Sequence, residues 1–275
     1  MDNRSIGVFD SGLGGLTAVR EMLRILPDEQ IVYFGDTGRV PYGSRSPKII
    51  TQYARQDAAF LMSKNVKAII SACGTVSSVA GSILAKELSV PFTGVLEPTA
   101  RAAAAATING RIGVIATNAT VNSGSFQHAL HAISPKLQVF ARSCPLFVPI
   151  VESGFMLDHP DITKEVAETY LAPLRNEKVD TVILGCTHYP ILKSIIGSVM
   201  GQDVRLIDSG RETALFCRSL LAENHLLAES NHGNCSFFVS DGMEDFSRIA
   251  GIFLQEDIHS SVQLVDIEKY EGAIS

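Results

Sequence analysis

The chain has no block of five or six like charges, no apolar run near the roughly 20 residues that a membrane span needs, and no CxxC pair. The first absence argues against a nucleic-acid partner, because 23 basic and 29 acidic residues are interspersed to give a net charge of −6. The second, with polar residues from Met1 to Ser5 where a leader would be apolar, sets the expectation of a cytoplasmic protein without a membrane partner. The third, in a chain with five cysteines, argues for reduced thiols over a disulfide framework or a structural zinc. Neither GxGxxG nor a Walker loop is present, and no two histidines have metal-ligand spacing with a third donor nearby. No metal is expected.

What is present is a core-forming sequence of 275 residues, 46% of them hydrophobic. Short β-branched runs at Ile6–Asp10, Ile31–Gly35, Val66–Ala72, Phe92–Val95, Arg111–Thr117, Thr181–Gly185, Val204–Asp208 and Cys235–Ser240 alternate with amphipathic helical stretches. This pattern predicts an α/β protein with doubly wound, largely parallel sheets. Ser46 and Pro47 signpost a helix start, and a preceding helix begins near Gly14 and stops at Pro27. Ala100–Ala106 reads as a helix from propensity alone.

A weak internal repeat sets Ile6-Gly7-Val8-Phe9-Asp10-Ser11 against Ile112-Gly113-Val114-Ile115-Ala116-Thr117. It recurs downstream at similar intervals, at Ser71-Ala72-Cys73-Gly74-Thr75 and Leu184-Gly185-Cys186-Thr187-His188. Two halves related by a pseudo-two-fold would turn both strand ends toward one cleft, since open parallel sheets bind ligands at the carboxyl ends of their strands.

Cys73 and Cys186 would then face that cleft, each expected at the start of a helix whose N–H groups favour a thiolate. Two opposed thiols suit the inversion of a carbon acid: one takes a proton as thiolate, the other delivers one to the opposite face of the carbanion. An unperturbed thiol pKa near about 8.5 calls for activating neighbours, and His188 stands beside Cys186. Asp10 with Ser11-Gly12-Leu13-Gly14-Gly15 forms either a turn presenting N–H groups to a carboxylate or phosphate, or a packed turn capped by Asp10. Tyr42 and Gly43 either line the cleft or belong to an ordinary loop. Glu152, after an apolar run, is either partly desolvated in the site or a solvated helix end. Cys144, Cys217 and Cys235 are assigned to structure, and His128, His131 and His225 to solvent-facing helical positions.

Taken together, Gly7 to Gly15, Asp36-Thr37 with Pro41-Tyr42-Gly43, Glu97-Pro98 and Gly185-Cys186-Thr187-His188-Tyr189-Pro190 closely resemble the bacterial glutamate racemases over nearly the whole chain. The resemblance implies a cofactor-independent isomerase that interconverts L- and D-glutamate for peptidoglycan synthesis, with Cys73 and Cys186 as the acid/base pair. It implies that Asp10 and His188 tune the two thiols and that Glu152 assists. Asp10, Ser11, Tyr42, Gly43, Gly74, Thr75, Thr187 and His188 match substrate-holding positions. It also implies two α/β domains, 1–97 with 208–275 and 98–207, with the active site between them, and a homodimer as the usual assembly.

One position departs from the pattern. Where such racemases usually have Cys-Asn-Thr-Ala, this chain has Cys73-Gly74-Thr75-Val76. A lost substrate hydrogen bond would cost around 1–3 kcal/mol, roughly ten- to a hundredfold. Two rivals therefore stand beside glutamate racemisation: a racemase for aspartate or another amino acid, and a catalytically impaired binding relative.

Overall fold

The computed structural model describes residues 1–229, 233–254 and 262–270. Among the described residues ten strands form two parallel sheets: β1 (Ile6–Asp10), β2 (Ile31–Gly35), β3 (Ala68–Ser71), β4 (Phe92–Gly94), β5 (Arg111–Ala116), β6 (Gln138–Ser143), β7 (Thr181–Leu184), β8 (Arg205–Asp208), β9 (Cys235–Val239) and β10 (Val262–Leu264). The first sheet has the order β10-β9-β2-β1-β3-β4, and the second β6-β5-β7-β8. Within them, β2-β1-β3-β4 and β6-β5-β7-β8 share one order and one sense. In each, the chain first steps outward to one side of the founding strand and then crosses to the other. A crevice therefore opens between β1 and β3 in one half and between β5 and β7 in the other.

The central strands are buried on both faces, which is why they read as continuous apolar runs. Alternation then sorts their side chains. Ile6 and Val8 enter a core shared with Phe147, Leu171 and Val182 of the other half, whereas Phe9 points to the outer layer with Phe34, Phe60 and Ile69. In the second sheet Ile115 joins the shared core, while Ile112 and Val114 meet Ala100, Ala103 and Phe126 on the far side. The two halves are thus welded by one apolar layer beneath the crevices.

The helix over Pro47–Ser63 starts as expected, with Ser46 Oγ accepting from the Ile49 N–H at 3.4 Å. Leu16–Ile25 forms the preceding helix, and the alanine-rich stretch belongs to Leu96–Ala106. Strands β6 and β10 are additions to the sequence reading. β6 is an edge strand whose six residues are all at least partly exposed, so it lacks an apolar run, and β10 is a three-residue edge strand. His225 is exposed but lies just past the helix Ser209–Glu223, with a positive φ of 57°, not within a helix. Among the described residues no helix is long and apolar enough to cross a membrane.

Candidate active site

The carboxyl ends of β1, β3, β5 and β7 converge on a cavity of about 480 Å³ between the two sheets. Its lining includes each residue singled out from the sequence: Asp10, Ser11, Tyr42, Gly43, Cys73, Gly74, Thr75, Glu152, Cys186, Thr187 and His188. The Glu97-Pro98 segment contributes nothing to that lining: Glu97 is exposed and pairs with Arg101 on its own helix.

Cys73 follows β3 and precedes the short helix Gly74–Val79. Its thiol is almost completely buried and donates to Ser11 Oγ at 3.5 Å. Burial pushes the Cys73 pKa up to about 12 and the Asp10 carboxylate adds to the rise, while the Val76 N–H and Ser11 work against it. Asp10 ends β1, accepts from the Gly12 N–H at 3.0 Å through Oδ2, and leaves Oδ1 buried without a hydrogen bond among the described residues. Burial raises its pKa, opposed by the charge of His188 and by backbone N–H groups of the glycine turn.

Cys186 follows β7, but no α-helix begins there. The chain passes through a turn into a 3₁₀ segment, Tyr189–Leu192, with Pro190 in its first turn, and the α-helix starts only at Lys193. The polarising partner is instead a side chain: His188 Nδ1 lies 3.8 Å from Cys186 Sγ, and His188 Nε2 lies 3.0 Å from Glu152 Oε1. Burial disfavours the imidazolium, yet the contacts with Cys186 and Glu152 outweigh it and hold the His188 pKa up to about 10. The Glu152 side chain is 40% exposed, so it is a partly solvated helix end and not a desolvated acid, and its contact within the site is with His188. An edge-on contact with Phe253, 5.6 Å between centroids, fixes the imidazole plane from the other side.

Two glycines set how closely the halves approach. A Cβ on Gly14 would lie 2.2 Å from Thr187 Oγ1 and 2.4 Å from His188 Nδ1, so the glycine turn of one half can touch the Cys186 turn of the other only without a side chain. Thr17 Oγ1, 2.8 Å from the Thr187 carbonyl, locks the same contact. A Cβ on Gly74 would stand 2.8 Å from the Gly185 carbonyl oxygen. The missing side chain at Gly74 is therefore not an empty space, because backbone from the opposing half fills it.

Other residues enter the site without having been singled out. Thr117 and Thr120 line the cavity after β5, with Thr117 Oγ1 donating to Thr120 Oγ1 at 3.2 Å. The repeat held the signal for Thr117, since it aligns with Ser11. Cys144, assigned to structure, is buried as expected but also borders the cavity, and its carbonyl accepts from Tyr189 Oη at 2.9 Å. Tyr42 borders the cavity but is almost completely buried: its ring packs on Tyr53 and its hydroxyl is bonded to Asp36 and Asp57 beneath the wall. Among the described residues no cluster of His, Cys, Asp and Glu has metal-holding geometry.

This arrangement offers two buried thiols from equivalent strand ends, each with its own proton-bearing neighbour. The profile of the Asp/Glu/Hydantoin racemase family matches residues 6–217. The glutamate racemase of Geobacter metallireducens is 45% identical over 252 residues, 91% of this chain and 93% of that protein. A glutamate racemase isoform from Bacillus anthracis superposes with a TM-score of 0.92 at 38% identity, covering 97% of this chain and 98% of that one. The glutamate racemase from Francisella tularensis, solved in complex with D-glutamate, gives 0.90 at 38% identity over 98% of this chain and 100% of that one.

Proposed function

The chain belongs to the Asp/Glu/Hydantoin racemase family, and on that footing we propose that it interconverts L- and D-glutamate without a cofactor, using Cys73 and Cys186 as the acid/base pair. The observation that carries this reading is the placing of two buried thiols at equivalent strand ends of two like-ordered sheets, both opening on one cavity of about 480 Å³.

The reaction needs no net redox change. One thiolate takes the α-proton, leaving a planar carbanion, and the opposite thiol gives its proton to the other face, so that the two sulfurs exchange protonation states with each inversion. The surroundings of the sulfurs differ. With its pKa raised to about 12, Cys73 rests as a thiol at neutral pH, which makes it the proton donor in one direction; in the other it must first give up that proton to act as base. Cys186 faces an imidazole that is cationic at neutral pH and that can hold or return a proton at Nδ1. Asp10 Oδ1, buried and without a partner among the described residues, suits the substrate ammonium, whose binding would offset the part that the Asp10 charge adds to the burial-driven rise at Cys73. Ser11, Gly43, Thr75 and Thr187 are assigned to the carboxylates, with Gly74 contributing closeness of backbone in place of a side chain. Supply of D-glutamate for peptidoglycan, a cytoplasmic location, a homodimeric assembly and the division into 1–97 with 208–275 and 98–207 belong to the same proposal; within that division 230–232, 255–261 and 271–275 lie outside the described residues.

The test follows the α-proton of L- and D-glutamate separately in heavy water by NMR. The product enantiomer should carry solvent deuterium from its first appearance while recovered substrate carries little, and Cys73→Ser or Cys186→Ser should abolish inversion. Retention of full racemisation in either variant sinks the two-thiol reading. A preference for aspartate across an amino-acid panel would replace the substrate, and absence of any exchange would leave the binding relative.

A further inference from the structure

Below the cleft wall lies a polar cluster that the reaction as written does not use. Asp36 directly follows β2 and opens the turn beyond it, and Asp57 sits in the middle of the helix Pro47–Ser63; both carboxylates are fully buried. The Arg39 guanidinium joins them, with Nε 2.6 Å from Asp36 Oδ2 and Nη2 3.0 Å from Asp57 Oδ1. Its remaining nitrogen reaches Gln56 Oε1 and, at 3.6 Å, the exposed Glu268, and its plane lies 4.1 Å over the Tyr53 ring. Ser240, just past β9, donates to Asp36 Oδ1 at 2.8 Å. The Tyr42 hydroxyl stands between the two acids, bonded to Asp36 Oδ2 and 3.0 Å from Asp57 Oδ2.

Counting hydrogens decides how this network is held. A phenol has one hydrogen and cannot donate to two carboxylates at once, so one acid must carry a proton and donate to Tyr42 Oη. Asp36 already accepts at both oxygens, from Arg39 and from Ser240, whereas Asp57 accepts from Arg39 at Oδ1 alone, which leaves Asp57 Oδ2 as the proton carrier. Burial, reinforced by the neighbouring Asp36, raises the Asp57 pKa well above the usual carboxylate range, in agreement with that assignment. The result is a chain in which Asp57 donates to Tyr42, Tyr42 donates to Asp36, and Asp36 pairs with Arg39. One anion and one cation remain, so the buried cluster is close to neutral.

We propose that Arg39 and Asp57 are positioning residues of this site: by tethering the Tyr42 hydroxyl beneath the wall, they fix segment 40–44 as a rigid substrate-binding face. They touch neither thiol, so their effect should fall on substrate binding and leave proton transfer intact. The inference rests on the glutamate racemase reading of the cavity.

The experiment measures kcat and KM for both glutamate enantiomers with the full chain and with Asp57→Leu, Asp57→Asn, Arg39→Met and Tyr42→Phe. Asp57→Leu and Arg39→Met should raise KM by tenfold or more while kcat stays within about threefold of the wild type. Asp57→Asn, which keeps a neutral donor facing Tyr42, should rescue most of the KM loss. A kcat loss at unchanged KM in Asp57→Leu, or failure of Asp57→Asn to rescue, overturns the proposal. If the leucine and methionine variants do not fold, Tyr42→Phe decides: it removes only the tethered oxygen, and an unmoved KM overturns the proposal. A wild type without glutamate turnover would overturn the functional reading itself, and this inference with it. An active wild type with an unmoved KM in the variants would overturn this inference alone.

Discussion

At the scale of single residues the site is asymmetric, and the asymmetry is electrostatic. Cys73 answers to a carboxylate and a hydroxyl in a dry corner, whereas Cys186 answers to a buried imidazole backed by Glu152. Glu152→Gln keeps the shape but replaces a charged acceptor with a neutral one. A charge-assisted hydrogen bond contributes about 1.5–3 kcal/mol, and solvent at this half-exposed side chain screens part of it, so a loss of about tenfold in kcat/KM is expected. The alkaline limb of the pH–rate profile should move to lower pH in the same variant, because His188 would give up its proton more readily; an unmoved limb would remove Glu152 from the site's chemistry. Stability should follow the same group. His188 has a folded-state pKa of about 10, above its unfolded value near 6.5, so its contribution is complete below about 6.5 and is lost as pH rises through about 10. Urea midpoints of the wild type and His188→Gln should therefore differ most near pH 6 and converge above pH 10.

At the scale of elements, closeness of backbone takes the place of side chains. Helix Gly74–Val79 begins where the Gly185 carbonyl of the opposing strand end presses in, so an added Cβ must displace a main chain that also carries Cys186. Gly74→Asn, which would bring the residue usual in similar racemases, is accordingly expected to lower activity instead of raising it, and to destabilise the fold by about 1–3 kcal/mol through overpacking. Kinetics and thermal unfolding of that one variant check both; higher kcat/KM would show that the halves part easily to admit the side chain. The same view explains what could be read from the chain. Strands buried on both faces left apolar runs, and the repeat then brought Cys73 and Cys186 to matching ends. Edge strand β6, with Gln138, Arg142 and Ser143, left no such run. Arg39, Asp36 and Asp57 could not be read as a unit, since they meet only when the turn after β2 folds onto the helix Pro47–Ser63. Cys144 was equally hidden, because its place beside the cavity depends on the β6 edge.

Across the whole molecule the two ends of the first sheet do different work. Both thiols proposed to react sit at the carboxyl edges of the strands, while the amino edge of the first sheet holds a buried ion pair far along the strands from the cavity. Lys67 precedes β3 and Glu29 precedes β2; both side chains are essentially inaccessible, with Lys67 Nζ 2.5 Å from Glu29 Oε2. Lys67 also donates to the Asp2 carbonyl at 2.6 Å, and Glu29 Oε1 accepts from the Ala228 N–H at 2.9 Å. The pair thus ties the start of the chain and the segment leading to β9 to the strands that carry Cys73 and the Tyr42 turn. Removing one partner leaves the other charge buried alone, so Lys67→Met should cost about 3–5 kcal/mol and lower Tm by roughly ten degrees. Removing both, in Lys67→Met with Glu29→Leu, should recover most of that loss, because two apolar side chains can replace a buried pair. Neither change reaches the carboxyl edge, so kcat of the folded fraction should match the wild type at a temperature where all three are folded. A fall in kcat there, with KM and folding intact, would mean that the amino edge is coupled to the thiols through the strands and that the two ends of the sheet are not independent.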